Sequence, residues 1–223
     1  MDRSELVSEH PKLFHMAEEG TWPAIQEHGL LSTKALVDLY DPEEAVRSTI
    51  LQGVRRESVV LSRPGVGRAV IRDQGPLKFL DECLAPGTTR QEFLDLLNGR
   101  VFFWLSPKRL QRLLGAARYR EHPQLVFQFD TAEILERYGA AVQLAPYNTG
   151  SMHVPPPYSP PRGRDVFVDV AHYPYADWRA RRGRGGDAVV ELTVKHAVPD
   201  AGELVTRVER WVGGSSVDVL HQR

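Results

Sequence analysis

The residue whose type and setting best suit it to chemistry is Glu191, in the apolar run 189–194 (VVELTV). The run is typical of a strand, in which side chains alternate between two faces. Glu191 and Thr193 would share one face, and the apolar side chains at 190, 192 and 194 the other. Burying a carboxylate costs free energy unless a partner compensates for it. The pattern therefore leaves two interpretations: a paired carboxylate in a site, or an ordinary glutamate on a solvated face.

Two earlier segments carry residues of types that bind ligands. The segment LFHMA places His15 between apolar neighbours, and taken alone this setting favours a satisfied, half-buried structural histidine. The run 101–105 (VFFWL) is typical of a buried strand, so Phe103 and Trp104 are each expected in the core. These segments become informative through their order along the chain: histidine, aromatic strand, then glutamate strand.

This order resembles that of the ADP-ribosyltransferase superfamily, in which a first-strand histidine, an aromatic strand and a late-strand glutamate line one NAD cleft. His15 and the helix running into residues 29–32 (GLLS) look like the opening of the DarT-type DNA ADP-ribosyltransferases. The strand of Glu191 and residues 198–200 (VPD) are similar to those enzymes' catalytic-glutamate strand and the turn after it. The RNA 2′-phosphotransferases share the general architecture.

The resemblance has one departure and one extension. Ala17 stands where the DarT type carries a hydroxyl residue two positions after the histidine. The whole chain also resembles a bacterial family with three further motif-like stretches, which are Arg72-Asp73-Gln74, Arg118-Tyr119 and Asn148-Thr149-Gly150.

The resemblance implies that the N-glycosidic bond to nicotinamide breaks through an oxocarbenium-like transition state, with Glu191 stabilising the positive charge on the ribose. It implies that His15 hydrogen-bonds a ribose hydroxyl or the nicotinamide amide. Arg72 or Arg118 would bind the pyrophosphate through the planar fork of guanidinium donors. One aromatic ring would stack on the nicotinamide, and the sequence leaves three candidates open: Phe103, Trp104 and Tyr119. The other residues expected to contact NAD are Ser32, Thr33 and Asn148.

The acceptor of the ADP-ribose is less constrained. Residues 178–184 (WRARRGR) hold four arginines beside a tryptophan, which could follow a phosphate backbone and stack on bases. The alternative is a solvated basic loop with glycine flexibility, which the sequence slightly favours. DNA, RNA, protein, a small molecule and water all stay open as acceptors. The residues concerned are Trp178, Arg179, Arg181, Arg182 and Arg184.

Two other functions fit the same residues. One is an RNA 2′-phosphotransferase-like enzyme, and the other is a non-catalytic module that binds a nucleotide or a nucleic acid. Other chemistries lack their signatures. Gly65-Val66-Gly67 lacks the third glycine of a dinucleotide fingerprint. The eight histidines show no spacing typical of a metal site, so no metal is expected.

The elements that position these residues follow from helix caps and apolar periodicity. Thr21 and Gly29 bracket a helix with Pro23 in its first turn, and a capping box at Thr89 opens a helix that ends at Gly99. Further helices are predicted at 34–40, after Ser106-Pro107 and at 131–138, strands at 101–105, 125–129, 166–170 and 189–194, and a proline-rich loop at about 151–165. We therefore expect one α+β domain over residues 1–223. The resemblance specifies it as an ADP-ribosyltransferase-like split mixed sheet with flanking helices.

Composition sets the broad class. The 223 residues are 42% hydrophobic and 26% charged, as in an ordinary globular domain, with a net charge of -1. A lone cysteine, Cys83, suits a reducing compartment. No run of about 18 apolar residues is present, so no membrane span is expected. These features predict a soluble, cytoplasmic protein.

Overall fold

The structure is a computed structural model that describes residues 1–183 and 185–223. None of the helices it describes combines the length and the apolar character that crossing a bilayer requires. The helices are α1 (Arg3–Glu9), α2 (Trp22–His28), α3 (Thr33–Tyr40), α4 (Glu44–Leu51), α5 (Leu80–Cys83), α6 (Arg90–Asn98), α7 (Pro107–Leu114), α8 (Thr131–Tyr138), α9 (Tyr175–Arg182) and α10 (Ala201–Leu204). The strands are β1 (Lys12–Glu18), β2 (Leu30–Leu31), β3 (Val59–Arg63), β4 (Gly67–Ile71), β5 (Arg100–Trp104), β6 (Gln124–Asp130), β7 (Val142–Ala145), β8 (Val168–Asp169), β9 (Glu191–Lys195), β10 (Ala197–Val198), β11 (Val205–Val212) and β12 (Ser215–Gln222).

Eight of these strands form one sheet, in the order β12-β11-β6-β1-β5-β9-β7-β8. Every pairing in this sheet is antiparallel. The predicted single α+β domain is confirmed, whereas the predicted mixed sheet is wrong. The segment β5–α7–β6 does join two strands that run in the same direction. They are not hydrogen-bonded to each other, because β1 lies between them and pairs antiparallel with both.

All five predicted helices are confirmed, and caps explain where α3 and α6 begin. Ser32 accepts a hydrogen bond from the amide of Ala35 at the start of α3. Thr89 and Glu92 form the predicted capping box of α6. Thr21 precedes α2 but does not cap it, because its hydroxyl donates to the carbonyl of Glu18 instead (2.7 Å).

The predicted strand at 166–170 is wrong in extent. Only β8, two residues long, pairs with β7, and a 3₁₀ turn lies on each side of it, at Arg164–Val166 and Val170–His172. Apolar side chains in a short run satisfy a turn packed on the core as well as they satisfy a strand, so the pattern could not separate the two.

Helices cover both faces of the sheet near β9. On one face, Leu192 packs in a core with residues of α1 and α8. On the other face, α7 packs over Trp104 of the neighbouring strand β5. Glu191 is 4% exposed and Thr193 is fully buried. The interpretation of Glu191 as a surface residue on a solvated face is therefore wrong.

The sheet opens at its centre, between β1 and β5. Strand β1 pairs with β6 along its whole length, but it pairs with β5 only where Phe14 faces Trp104. Beyond that pair the two strands separate, and the gap between them is the feature that the functional site is built on.

A second, small sheet closes one side of this gap. Strand β2 pairs with β10, so that the early GLLS segment lies against the late VPD segment. Gly29, just before β2, has φ +79°, and a Cβ there would lie 2.3 Å from the carbonyl oxygen of Val198. Only glycine permits both this backbone conformation and this approach.

Candidate active site

A cavity of about 340 Å³ occupies the gap between β1 and β5. Its walls come from β1, β5, the α2–β2–α3 segment and strand β4. Its volume falls at the lower end of the range for small-molecule sites. The residues predicted from the sequence that line it are His15, Thr33, Arg72, Phe103, Trp104, Tyr119, Asn148 and Glu191.

Glu191 is held by one residue through one oxygen. Its Oε2 accepts hydrogen bonds from the backbone amide of Thr149 (3.1 Å) and from the Thr149 hydroxyl (2.7 Å). No described residue donates a hydrogen bond to Oε1. Burial raises the pKa of Glu191 to about 7, against the opposing effects of Thr149, Arg162 and Arg109. A carboxylate fixed through one oxygen, with the other free at a cavity, is arranged to interact with a ligand.

The gap brings His15 and Glu191 to the same cavity. In the sheet register, Phe14 faces Trp104 and Trp104 faces Glu191, so these three share a face. Alternation along β1 then assigns His15 to the opposite face. Residues from both faces of β1 and β5 line the cavity, because the strands are separated there, and both His15 and Glu191 are among them.

His15 presents a hydrogen-bond acceptor. Its Nδ1 lies 2.9 Å from the carbonyl oxygen of Phe102, which can only accept, so Nδ1 carries the proton and donates. Burial, with a smaller contribution from the nearby Arg72, lowers the pKa of His15 to about 4 despite the hydrogen bond to Phe102. The ring is therefore neutral near pH 7, and its Nε2 is an unprotonated acceptor.

Of the two predicted arginines, Arg72 lines the cavity, as Arg55, Arg68 and Arg100 also do, and Arg118 does not. Arg72 Nη2 donates to the carbonyl of Met16 (2.8 Å), and its Cζ lies 5.0 Å from the centre of the Tyr119 ring. Its Nε and Nη1 have no acceptor among the described residues. Arg118 is half-exposed, forms an ion pair with Asp73, and does not line the cavity. Of the two arginines predicted to bind pyrophosphate, only Arg72 is placed to do so.

The other predicted cofactor residues divide in the same way. Thr33 and Asn148 line the cavity. Ser32 does not, because its hydroxyl is buried as the cap of α3. Phe103 lines the cavity but is only 1% exposed, because it packs edge-on against Phe129 in the core, with ring centres 5.5 Å apart.

The three motif-like stretches surround the cavity. Asp73 accepts hydrogen bonds from the amide of Gly75 (2.7 Å) and the hydroxyl of Tyr119 (3.1 Å), which links the first stretch to the second. Thr149, in the third, binds Glu191. No role was predicted for Asp73 or Thr149 from the sequence, although both lie in these stretches. Their position in such stretches was the available signal.

The arginine-rich segment lies outside the cavity. The prediction that it forms a loop is wrong, because residues 175–182 form helix α9. Asp177 in its first turn and arginines in its last turn complement the helix dipole, and Gly183 (φ 68°) ends it. Arg184 lies outside the described residues.

Some arginines of α9 are used within the protein. Arg179 forms an ion pair with Glu9 (3.1 Å). Arg182 donates to the carbonyl of Pro146 (2.9 Å). Arg181 is exposed and stacks on Trp178, 5.3 Å from its ring centre. The surface of α9 is basic and aromatic, but Arg179 and Arg182 already bind other parts of the protein.

The chain belongs to the family described as "Family of unknown function (DUF7002)", whose model matches residues 11–205. The match extends from just before β1 to the first residue of β11, so it includes His15, Glu191 and all three motif-like stretches. No curated protein matches the sequence.

Proposed function

We propose that the protein is an NAD-dependent ADP-ribosyltransferase and that the cavity between β1 and β5 binds NAD. The observation that carries the proposal is the state of Glu191, a buried carboxylate with one oxygen fixed by Thr149 and the other free at the cavity of the neutral His15. Strands β1, β5 and β9 are consecutive in the sheet, so the histidine, aromatic and glutamate strands lie side by side.

NAD supplies an N-glycosidic bond whose cleavage leaves the electron pair on the nicotinamide nitrogen and positive charge on the ribose. The free Oε1 of Glu191 stabilises that charge when Glu191 is ionised. The acceptor then forms its bond to ribose C1′, and Glu191 takes the proton that the acceptor loses. One carboxylate therefore serves both halves of the transfer.

The remaining cavity residues fit the other parts of NAD. The Nε2 of His15 accepts a hydrogen bond from a ribose hydroxyl, and the free nitrogens of Arg72 bind the pyrophosphate. Trp104 stacks on the nicotinamide. It is favoured over Phe103 because it is half-buried and lies directly opposite Glu191 in the register. Tyr119 is already covered by the Arg72 guanidinium.

The proposal is tested by incubating the purified protein with NAD and measuring released nicotinamide by chromatography. Glu191→Gln should reduce the release rate by about 100-fold or more, the usual cost of losing one such electrostatic group. Glu136→Gln, on the exposed surface of α8, is the matched control and should turn over NAD like the wild type. Equal rates for wild type and Glu191→Gln would exclude the mechanism. Binding of NAD without any release of nicotinamide would favour the non-catalytic module.

The α9 surface favours a nucleic acid as the acceptor. Arg181 and Arg182 lie over Trp178, 5.3 and 5.6 Å from the centre of its ring, a combination of cations and an aromatic ring that suits single strands. An RNA 2′-phosphotransferase-like reaction would use the same surface. It is distinguished by its product, because the phosphate of the RNA would then be lost and the base would stay unmodified.

A further inference from the structure

Arg162 is a buried cation without an acidic partner. Its side chain is one of the largest fully buried side chains of the protein. No described Asp or Glu forms an ion pair with it. Its Nη2 donates to the carbonyls of Ser151 (3.0 Å) and Asn148 (3.4 Å), and its Nη1 donates to that of Pro160. Its Nε is buried without a partner. Burying a charge in this way is costly, and carbonyl oxygens offset only part of the cost.

The two carbonyls that share Nη2 flank the residue that holds Glu191. Asn148 and Ser151 are also joined by a backbone hydrogen bond (3.4 Å), so residues 148–151 form a turn that Arg162 closes from one side. Thr149 lies inside this turn and gives both its amide and its hydroxyl to Oε2 of Glu191. The orientation of Thr149 therefore depends on the turn, and the turn is held by Arg162.

Arg162 is itself fixed from several directions. Its amide donates to the carbonyl of Cys83 (2.7 Å), and its carbonyl accepts from the amide of Ala85 (2.8 Å). Its guanidinium lies over the ring of Tyr147, 4.3 Å from the centre, and the Tyr147 hydroxyl donates to the carbonyl of Pro161 (2.8 Å). A side chain held in this way can transmit a fixed geometry to the turn it contacts.

We infer that Arg162 is a positioning residue for Glu191: it holds the 148–151 turn so that Thr149 fixes Oε2 and leaves Oε1 directed at the substrate. The inference rests on the proposed function for its catalytic consequence, but the positioning itself can be measured without NAD.

The catalytic test is a double-mutant cycle of Arg162→Lys and Thr149→Val. Lysine keeps the charge, but its single terminal nitrogen cannot reproduce the contacts that Nη1 and Nη2 make in different directions, and valine removes only the hydroxyl. Each single variant should lower kcat by roughly 10- to 100-fold, the range that corresponds to a hydrogen bond to a charged group, with KM for NAD little changed. Because both act through one turn, the double variant should be no slower than the slower single variant. A double variant whose loss in kcat equals the product of the two single losses would overturn the inference.

Arg109 provides the matched control. It is the other cation that affects Glu191, but it pairs with Asp187 (2.5 Å) and donates no hydrogen bond to the described residues of the turn. Arg109→Lys combined with Thr149→Val should therefore give effects that multiply. If the double variant of this control pair is instead no slower than its slower single variant, the cycle reports a general disturbance of the site. That result would count against the assignment to Arg162.

The NAD-independent test is the titration of Glu191, followed by NMR of the ¹³C-labelled carboxyl group. Arg162→Lys and Thr149→Val should each move the midpoint upward from about 7, because the ionised form loses hydrogen bonds. An unmoved midpoint in Arg162→Lys overturns the inference even if NAD is turned over. A moved midpoint without turnover in the wild type supports it while rejecting the proposed function.

A second pair of variants covers the case in which Arg162→Lys does not fold. Tyr147→Leu removes the ring under the guanidinium, and Tyr147→Phe keeps the ring and loses only the hydroxyl. The midpoint of Glu191 should move in Tyr147→Leu more than in Tyr147→Phe. Equal midpoints in both and in the wild type would overturn the inference.

Discussion

Replacing Glu191 by glutamine should make the folded protein more stable at neutral pH, although it removes the group on which the proposed reaction depends. Burial raises the pKa of Glu191 from 4.5 to about 7, so at neutral pH the folded state holds a carboxylate at a free-energy cost. Glutamine has nearly the same shape and can still accept the two hydrogen bonds from Thr149. It removes the charge and leaves the contacts.

The size and the sign of the effect follow from the two pKa values. Below pH 4.5 the folded and unfolded states both hold the proton, so Glu191 gives stability no pH dependence. Between 4.5 and about 7 only the folded state holds it, so the free energy of unfolding falls as pH rises. Each pH unit is worth about 1.4 kcal/mol, so the total loss is about 3 kcal/mol. Above pH 7 the contribution is constant again.

The assay is urea denaturation of wild type and Glu191→Gln from pH 4 to 8. The difference in unfolding free energy between them should change by about 3 kcal/mol across this range, in favour of glutamine at high pH. Glu136→Gln on exposed α8 should give a difference that barely depends on pH. A flat difference for Glu191→Gln would mean that Glu191 ionises as in water. The description of it as a buried carboxylate would then be wrong.

Two further predictions concern ligands. His15→Asn keeps a donor for the carbonyl that Nδ1 contacts but removes the Nε2 acceptor, so NAD affinity should fall by about tenfold without a change in the unfolding midpoint. Calorimetric titration checks this, and unchanged affinity would remove His15 from the NAD site. Arg181→Ala with Arg182→Ala should flatten the slope of log affinity for single-stranded nucleic acid against log salt by about 1.4 if both arginines contact phosphates. Fluorescence titration at several salt concentrations measures it, and an unaltered slope would leave α9 as a solvated surface.

Local signals in the sequence predicted the elements that local physics determines. The capping box at Thr89 and the proline at the start of α7 are complete within a few residues, and both helices begin where they indicate. The strand predicted at 166–170 was wrong in extent, because the apolar residues there lack any feature that separates a strand from turns packed on the core. The loop predicted for the arginine-rich segment was wrong for a different reason. Asp177 and Gly183 are typical of the start and the end of a helix, but the run of arginines was interpreted as a loop.

The sequence predicted the two central residues of the site but not the residues that hold them in place. His15 and Glu191 were found by residue type, order and resemblance, and both line one cavity. Alternation in β9 could not reveal that α7 covers the second face, because that depends on a helix about eighty positions earlier in the chain. Thr149 and Arg162 contact Glu191 or its turn only through tertiary structure, so no spacing in the sequence connects them.

Three groups whose burial costs free energy lie in or next to the cavity. Glu191 holds a raised pKa, His15 a lowered one, and Arg162 is a buried guanidinium with one unpaired nitrogen. Apolar side chains of similar volume would avoid these costs and often stabilise a core. Ionisable groups with perturbed pKa values gather at functional sites, where their free-energy cost is offset by binding or catalysis. Two of these groups line one cavity, and the third holds the turn behind it. The ligand chemistry that we propose for the gap between β1 and β5 would account for all three at once, whereas packing alone accounts for none of them.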